Sequence, residues 1–533
     1  MRTLLLLAVT ACIGSMPPPP KLHVTSPKRS MVQSTTGQVV VEGTAVPGID
    51  GALVTGVTVN GTAAHLAADG SFSATVDVPA GAMLLETVAT TDQGGTATDA
   101  RAVQVGELRP VGTSIDRAVT AALSADAFAK LSAAAGPLIM SMNLPQLLAQ
   151  THLAYGDNIA HLALTISNLA LGDVKVSMKP VAGGLQFSAE LDAIDVTANA
   201  VYGGDLVPEG TTAIRVTASQ VTIAGTLVIT PNGTAGFTTK IATPAVHTNG
   251  LHVKADGLTG QILDLLDSNL DSTIQSIATS TAETSLEPLI NAALGALAGP
   301  QRLTILGKTL DLEASPAAVT FSPAGGLVTM NLAAKIEGSE SSPGYIYSPN
   351  GTPAITMTSG VQLGLADDFV NEMLAEVHAL GLLDIKLDQS FGPFDGAEIK
   401  LTIPPMVSGN TPDGSMRLIL GDMVATLDQN GAPALSAAIN AQVDLSILPG
   451  ANPQDIALKL GKTHLFVNLL DPNADDASAG DVYGAASNGI ELQLDSLSQF
   501  LVTVPVPSVA GVSFDALSLH GDSGYVVVSG QIH

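Results

Sequence analysis

The sequence predicts a small all-β sandwich followed by a larger α+β region of antiparallel sheets and long amphipathic helices, arranged as two successive units. Three observations lead there. Residues 22–105 alternate apolar and polar side chains with a period of two, broken at Asn60-Gly61 and Asp69-Gly70, pairs that suit hairpin turns needing positive φ. From Pro110 onward, apolar stripes spaced three or four residues apart alternate with further period-two stretches. The 533 residues include one cysteine, no Trp and 3% aromatics. No internal disulfide is available, so the cores must be built from Ala, Val, Leu and Ile.

The chain opens with Arg2, an apolar run from Leu4 to Val9, and then Val9-Thr10-Ala11-Cys12. Small residues before a cysteine at the end of a short secretory signal resemble a bacterial lipobox. That resemblance implies removal of residues 1–11 and diacylation of the Cys12 thiol, the lipid attachment site. Two or more acyl chains anchor stably where one binds only marginally, since each buried methylene contributes roughly 0.8 kcal/mol. The alternative is a small core cysteine behind an ordinary signal, and the signal is shorter than the usual span of roughly 15–30 residues. Residues 12–21, with Pro17 to Pro20, read as a stiff polyproline tether.

Residues 22–106 form the sandwich. Val39 and Val41 alternate with polar neighbours, Val57 and Val59 lead into Asn60-Gly61, and Phe72, Ala74 and Val76 follow Asp69-Gly70. The stretches VTVNGTAAHLAADGSFSATV and TTDQGGTAT resemble a bacterial immunoglobulin-like domain, which implies a spacer or adhesive module.

In the large region a first helix is expected from Ser114 as N-cap, with Asp116 near the positive helix end and Ile115, Val119 and Leu123 at steps of four. A second cap signal at Ser124 and Asp126 precedes Phe128 and Leu131. Strands follow: Leu162, Leu164 and Ile166, then Val174, Val176 and Met178, then Leu185, Phe187, Ala189 and Leu191, all on a period of two. A second helical stretch carries Ile262, Leu266, Leu270, Ile274 and Ile277 on one stripe, with Pro288 interrupting it before Leu289 and Leu294. Strands from Leu303 to Ile336 lead to a third helix near Asp367 to Leu380. Its stripe is Phe369, Met373 and Val377; Asp367 and Asp368 suit its start and Gly381 its end. Strands then run almost to His533, with Ser496 to Phe500 too short for another long helix.

This order of segments resembles the tubular lipid-binding (TULIP) superfamily of bactericidal permeability-increasing, lipopolysaccharide-binding and cholesteryl-ester-transfer proteins. Val361 to Leu387, the Ile262 to Leu294 stretch, and Val504 to Ile532 with Pro505 and Pro507 carry the likeness. It implies a two-lobed tubular fold, curved antiparallel sheets wrapped on long helices, with lobes at 110–300 and 301–533. It further implies an apolar tunnel that holds acyl chains of a phospholipid or other acyl lipid. Withdrawing a ~14-methylene chain from a bilayer costs about 11 kcal/mol, which an aliphatic tunnel would offset. The expected lining is Ile115, Val119, Leu123, Leu164, Ile166, Phe187, Leu191, Ile262, Leu266, Leu270, Ile274, Phe369, Met373 and Val377; for each, ordinary core packing is the competing reading. The chain departs from the superfamily in lacking a disulfide and in being acidic where lipopolysaccharide binders have a basic tip, so recognition of anionic headgroups is not expected.

Lys plus Arg number 21 against 48 Asp plus Glu, for a net charge of −27. No basic cluster neutralises phosphates, which argues against nucleic acid and against polybasic membrane binding. No later run of about 18 apolar residues suggests a membrane span. His65, Asp455 and Ser523 occur in the order of a chymotrypsin-like triad, but at separations of 390 and 68 residues. His65 falls in the sandwich and Ser523 in a Gly-Asp-Ser-Gly turn, so no catalytic residues are assigned. Asp471, Asn473, Asp475, Asp476 and Asp481 crowd one loop. A calcium loop of EF-hand type wants Gly sixth and Glu twelfth, where Asp476 and Val482 stand. A solvated acidic loop is the other reading. No metal site and no cofactor are expected. The sequence therefore suggests a non-enzymatic lipoprotein of the bacterial cell envelope, anchored at the outer membrane, that carries, stores or senses lipid. The alternative is a surface adhesion or structural lipoprotein with a solid β-rich core and no cargo.

Overall fold

The computed structural model describes residues 19–48, 51–141, 152–156, 161–205, 207–233, 236–255, 299–305, 307–349, 351–408, 416–449, 456–470, 481–490, 492 and 514–532. The signal, Cys12, most of the tether, Ile262, Leu266, Leu270, Ile274, Asp455, the acidic loop up to position 480, and Ser496 to Phe500 lie outside the described residues.

Nine strands form the N-terminal sandwich: β1 (Lys21–Ser26), β2 (Met31–Gln33), β3 (Gly37–Val46), β4 (Val54–Val59), β5 (Thr62–Ala63), β6 (His65–Leu66), β7 (Ser71–Val78), β8 (Gly81–Thr91) and β9 (Thr96–Val105). One sheet runs β1-β3-β7-β6 and the other β2-β9-β8-β4-β5, with β2 parallel to β9. The alternating valines meet between them, with Val39, Val41, Val57, Val59 and Phe72 all buried. The turn after β4 works as its sequence requires: Asn60 and Gly61 both take positive φ, 47° and 78°.

Beyond the sandwich lie β10 (Glu107–Arg109), β11 (Ile115–Ser124) and helix α1 (Ala125–Ser141). The expected helix from Ser114 is therefore corrected: its Ile115, Val119 and Leu123 stand on a strand. β11 is hydrogen-bonded on both edges, so its register follows its neighbours, with Ala118, Thr120, Ala122 and Ser124 buried in alternation. The spacing of four that suggested a helix is also compatible with a period of two. The second cap signal marks the true helix start. Ser124 Oγ accepts a hydrogen bond from the Ala127 N–H at 3.1 Å, satisfying one of the first-turn amides.

Seven strands build the first lobe: β12 (His152–Gly156), β13 (His161–Ala170), β14 (Asp173–Val181), β15 (Gly184–Gly204), β16 (Val207–Pro231), β17 (Phe237–Asn249) and β18 (His252–Ala255). Their order is β12-β13-β15-β16-β17, with β14 on β15 and β18 on β16. β15 and β16, 21 and 25 residues long, are far longer than usual strands. Each changes partner along its length, and bulges relieve the strain of bending. Thr243, with a φ of 50°, sits at such a bulge, and Ala193, with a φ of 51°, sits where β15 passes from β14 to β13.

A seven-stranded central sheet follows, in the order β19 (Gly299–Ile305), β20 (Lys308–Ser322), β21 (Gly325–Ile336), β11, β23 (Val361–Ala366), β31 (Tyr525–Ile532) and β30 (Phe514–Asp522). Strand β22 (Tyr345–Tyr347) pairs with β10. Because β11 lies between β21 and β23, both parts of the large region share this sheet. Helix α2 (Asp367–Ala379) leaves β23 as expected, and its end is a full Schellman closure. Gly381, at φ 66°, donates to His378 O, and Leu382 donates to Val377 O. The last sheet contains β24 (Ile385–Leu387), β25 (Gly396–Lys400), β26 (Met406–Ser408), β27 (Met416–Gln429), β28 (Ala432–Pro449) and β29 (Ile456–Leu469). A further helix, α3 (residues 481–490), closes over it.

The sandwich docks on this second lobe through a buried polar cluster. At a bulge in β27, Asp422 takes a φ of 43° and is 1% exposed. Its carboxylate accepts hydrogen bonds from Arg29 (3.1 Å), Asn440 Nδ2 (3.0 Å) and the Ser30 and Ala102 amides (2.6 and 3.3 Å). Four donors on one buried carboxylate compensate its lost hydration. Beside it, Gly421 lets β9 come close: a Cβ there would stand 2.4 Å from that of Ala102. Replacing Asp422→Ala removes one acceptor of Arg29, which keeps Asp99 and Ala100 O, and takes the carboxylate from the Ser30 and Ala102 amides. It is expected to lower stability by about 2–4 kcal/mol and to speed proteolytic release of the sandwich, both read on the full chain. Unchanged unfolding would mean that the docking is held elsewhere.

Candidate functional site

In the first lobe the period-two rule sorts the side chains onto two unlike faces. Register aligns Val176 with Ala189, Phe187 with Gly225, Leu191 with Val221, Ile223 with Val246, Leu164 with Ala200 and Val196 with Val216. Because β15 breaks its period at Ala193, bringing Leu191 and Ile194 together, all lie on one side, here the inner face. Across the described residues of β13 to β18 no charged residue occupies that side. The opposite, outer face carries Lys175, bound to Asp192 at 2.8 Å, and Arg215, paired with Asp195 at 2.5 Å. The hydrogen bond from Lys175 is the main cause holding the Asp192 carboxyl below its ordinary range.

Among the described residues the buried part of the inner face falls in three clusters: Leu162, Leu164, Ala200 and Ile214 at one end; Ala218, Val221 and Val246 in the middle; and Leu185, Leu227 and Ile241 at the other, where Phe128 of α1 joins them. Between these, Ile166, Val176, Phe187, Leu191, Ile194, Val196 and Ile223 remain half-buried. α1 is pinned over the last cluster through Ser132, whose hydroxyl accepts the Met178 amide at 2.8 Å. Of the expected lining residues, Leu164, Ile166, Phe187 and Leu191 share this face. Ile115 and Val119 turn instead to the core shared with the second lobe, and Leu123 packs beside Phe128.

The second lobe is built differently. Phe369, Met373 and Val377 are buried in a continuous core with Leu418, Leu420, Met423, Ile439 and Val443. α2 is buried along every face from Asp367 to Val377, including the polar side chains that a surface helix would turn to water. Those side chains hold the surrounding chain. Asp368 accepts from the Ser348 amide at 2.9 Å, Glu372 from the Gly112 amide at 2.7 Å, and Glu376 from the Ile336 amide and the Ser339 hydroxyl, both at 2.5 Å. Asn371 exchanges two hydrogen bonds with the backbone of Val407. The steps of four from Asp368 to Glu372 to Glu376 stand in the sequence, but the amides they accept from come from distant segments that no local pattern marks.

No protein-family model matches the sequence, and no curated protein matches it. Among solved structures, the chain is similar to a lipopolysaccharide binding protein, with 15% identity, a TM-score of 0.45, and coverage of 79% of this chain and 99% of that one. It is also similar to P47 of Clostridium botulinum E1, with 8% identity, a TM-score of 0.29, and coverage of 79% and 100%. P47 from Clostridium botulinum A2 follows at 7% identity and a TM-score of 0.24, covering 80% and 98%.

Other features lie away from the apolar face. A cleft of about 250 Å³ opens where the sandwich, α2 and the C-terminal hairpin meet, lined by Ala80, Ser348, Asp367, Val407 and Gly524 among others. His65 stands on β6, and Ser523 lies in the β30–β31 turn, its hydroxyl on Asp522 at 2.8 Å. α3 was missed because two of its four buried contacts, Val482, Ala485, Ala486 and Ile490, are alanines, which mark a stripe weakly.

The carboxyls of α2 titrate unusually. Burial raises Glu372 to about 8 despite the Gly112 hydrogen bond, with Glu376 adding repulsion; burial raises Asp368 to about 6 against its Ser348 bonds. Glu372 Oε2 and Glu376 Oε1 have no hydrogen-bond partner. A raised folded value means that the native state holds protons the unfolded chain releases. The stabilisation from Glu372 is therefore full below its ordinary 4.5 and is lost as pH rises through about 8. Glu372→Gln is expected to flatten the pH dependence of unfolding, removing about 2–4 kcal/mol of the difference between pH 5 and pH 9. Parallel curves for both proteins would refute the assignment.

Proposed function

We propose that this chain is a lipid-anchored protein of the bacterial envelope that binds acyl chains passively on the inner face of its first lobe, as a carrier, store or sensor. The observation that carries this reading is that, among the described residues, the inner face is free of charge and leaves apolar side chains such as Phe187, Leu191 and Ile223 half-buried between its buried clusters. A sheet face meant only for stability would be expected to close into one packed core, as the second lobe does. An apolar surface left partly open favours a hydrophobic guest, and lipid chains match its length and chemistry. The resemblance in segment order to tubular lipid-binding proteins points the same way.

Four strands β1-β3-β7-β6 face the sheet β2-β9-β8-β4-β5, in which β2 joins β9, and two such sheets are compatible with an immunoglobulin-like module. That supports reading it as a mounting module between a Cys12 anchor and the lobes. The alternative, a structural lipoprotein with a solid core, draws support from the second lobe, whose interior is filled around α2. The two readings differ in what they predict for the first lobe.

Native mass spectrometry after incubation with phospholipid vesicles is expected to find bound lipid. Ile223→Glu, on the inner face, should abolish uptake, while Ser177→Glu, exposed on the outer face, should leave it intact with both variants folded by circular dichroism. No bound lipid in the parent protein would sink the carrier reading. Separately, Cys12→Ser should move the protein from the membrane fraction to the soluble fraction. Retention in the membrane would rule out the Cys12 anchor.

A further inference from the structure

We infer that the cargo of the first lobe is a lipid whose head group bears no net negative charge, an inference that rests on the carrier reading above. From residue 125 to 298 the chain contains six cationic side chains: Lys130 of α1, already paired with Asp126 at 3.0 Å, and five others, Lys175, Lys179, Arg215, Lys240 and Lys254. All five are on described strands, and all five are exposed. Register places each on the outer face. Lys179 lies opposite Gln186, one step from the inward Met178–Phe187 pair. Lys240 lies opposite Val228, one step from the inward Leu227–Ile241 pair, and Lys254 lies opposite Arg215. Two of the five are already engaged, Lys175 by Asp192 and Arg215 by Asp195.

Residues 256–298 contain no Lys or Arg, and include Asp264, Asp267, Asp271, Glu283 and Glu287. An anionic phosphate or carboxylate brought to the inner face would lose hydration and find no cation there, in a protein of net charge −27. A head group that is uncharged or internally neutralised avoids that penalty. Selection then falls on the apolar chains and on the absence of net head-group charge.

The test uses the full chain carrying Cys12→Ser, incubated with phosphatidylcholine vesicles that contain equal amounts of dioleoylglycerol, dioleoyl phosphatidylethanolamine and dioleoyl phosphatidylglycerol. Bound lipid is then identified by native mass spectrometry. The expected result is at least about tenfold more of the first two than of phosphatidylglycerol, a ratio that persists when salt is raised to screen surface charge. Lys179→Glu and Lys240→Glu should leave the ratio unchanged, since both residues face outward. Uptake of phosphatidylglycerol equal to the others, or a ratio that shifts when those two lysines are reversed, would overturn the inference while leaving the carrier reading standing. Absence of any bound lipid, phosphatidylcholine included, would overturn the carrier reading and the inference together.

Discussion

An aliphatic sheet face must be removed from water, and in a chain with no possible internal disulfide that burial has to supply the stability. Each square ångström so covered contributes about 25 cal/mol. The second lobe meets the requirement by placing α2 wholly inside, so that Phe369, Met373 and Val377 complete a core with β27 and β28. The consequence is that the helix must also bury Asp368, Asn371, Glu372 and Glu376. They are tolerated because backbone amides of Ser348, Gly112, Ile336 and Val407 point at them. The polar residues of α2 therefore replace water as partners for four connecting segments, and the position of each segment depends on that helix.

The same logic fixes the sandwich. Asp422 sits at a bulge where β27 breaks its ladder, and its four donors come from the sandwich and from β28. Around this polar centre, Leu84, Ala102, Ile403 and Ile419 form an apolar contact. A module joined by residues 106–114 alone would swing freely. Joined in this way, its β8–β9 sheet is occupied by the chain's own second lobe, which leaves that area closed to an external adhesive partner. On the proposed reading, a rigid mount means that the anchor's position governs where the first lobe lies relative to the bilayer.

Period and turn chemistry carried much of this architecture into the sequence. The sandwich strands, the Asn60-Gly61 turn and the start and finish of α2 follow from local rules, because each depends on neighbouring residues only. β11 did not, since a stripe such as Ile115, Val119 and Leu123 fits both periods and the choice was made by β21 and β23, more than 200 residues away in the chain. The buried carboxylates of α2 were equally hidden. Acidic residues on a helix are ordinarily solvated, and only the tertiary position of Gly112 and Ile336 converts them into acceptors. In the first lobe, alternation made Leu164 with Ile166, and Phe187 with Leu191, legible as pairs, but the two pairs share a face only because β15 breaks its period at Ala193. How fully that face is covered depends on what else reaches it.

The contrast between the lobes then acquires a physical reading. Alternation in β13 to β18 does more than collect aliphatic side chains, since by the same parity it sends every cation of the region to the far side of the sheet. A lysine turned inward could reach for a phosphate, but it would have to be desolvated in the empty state. The cost of a buried, unpaired ammonium exceeds what occasional ligand contact returns. A binding face that must survive both full and empty is therefore most stable when it is uncharged, and its selectivity passes to chain shape and to the exclusion of charged head groups. The second lobe shows the opposite solution, in which charge is kept inside because partners are permanently present. Permanent partners suit a structural core, whereas a face without charge is the kind that a transient apolar guest would require on the proposed reading.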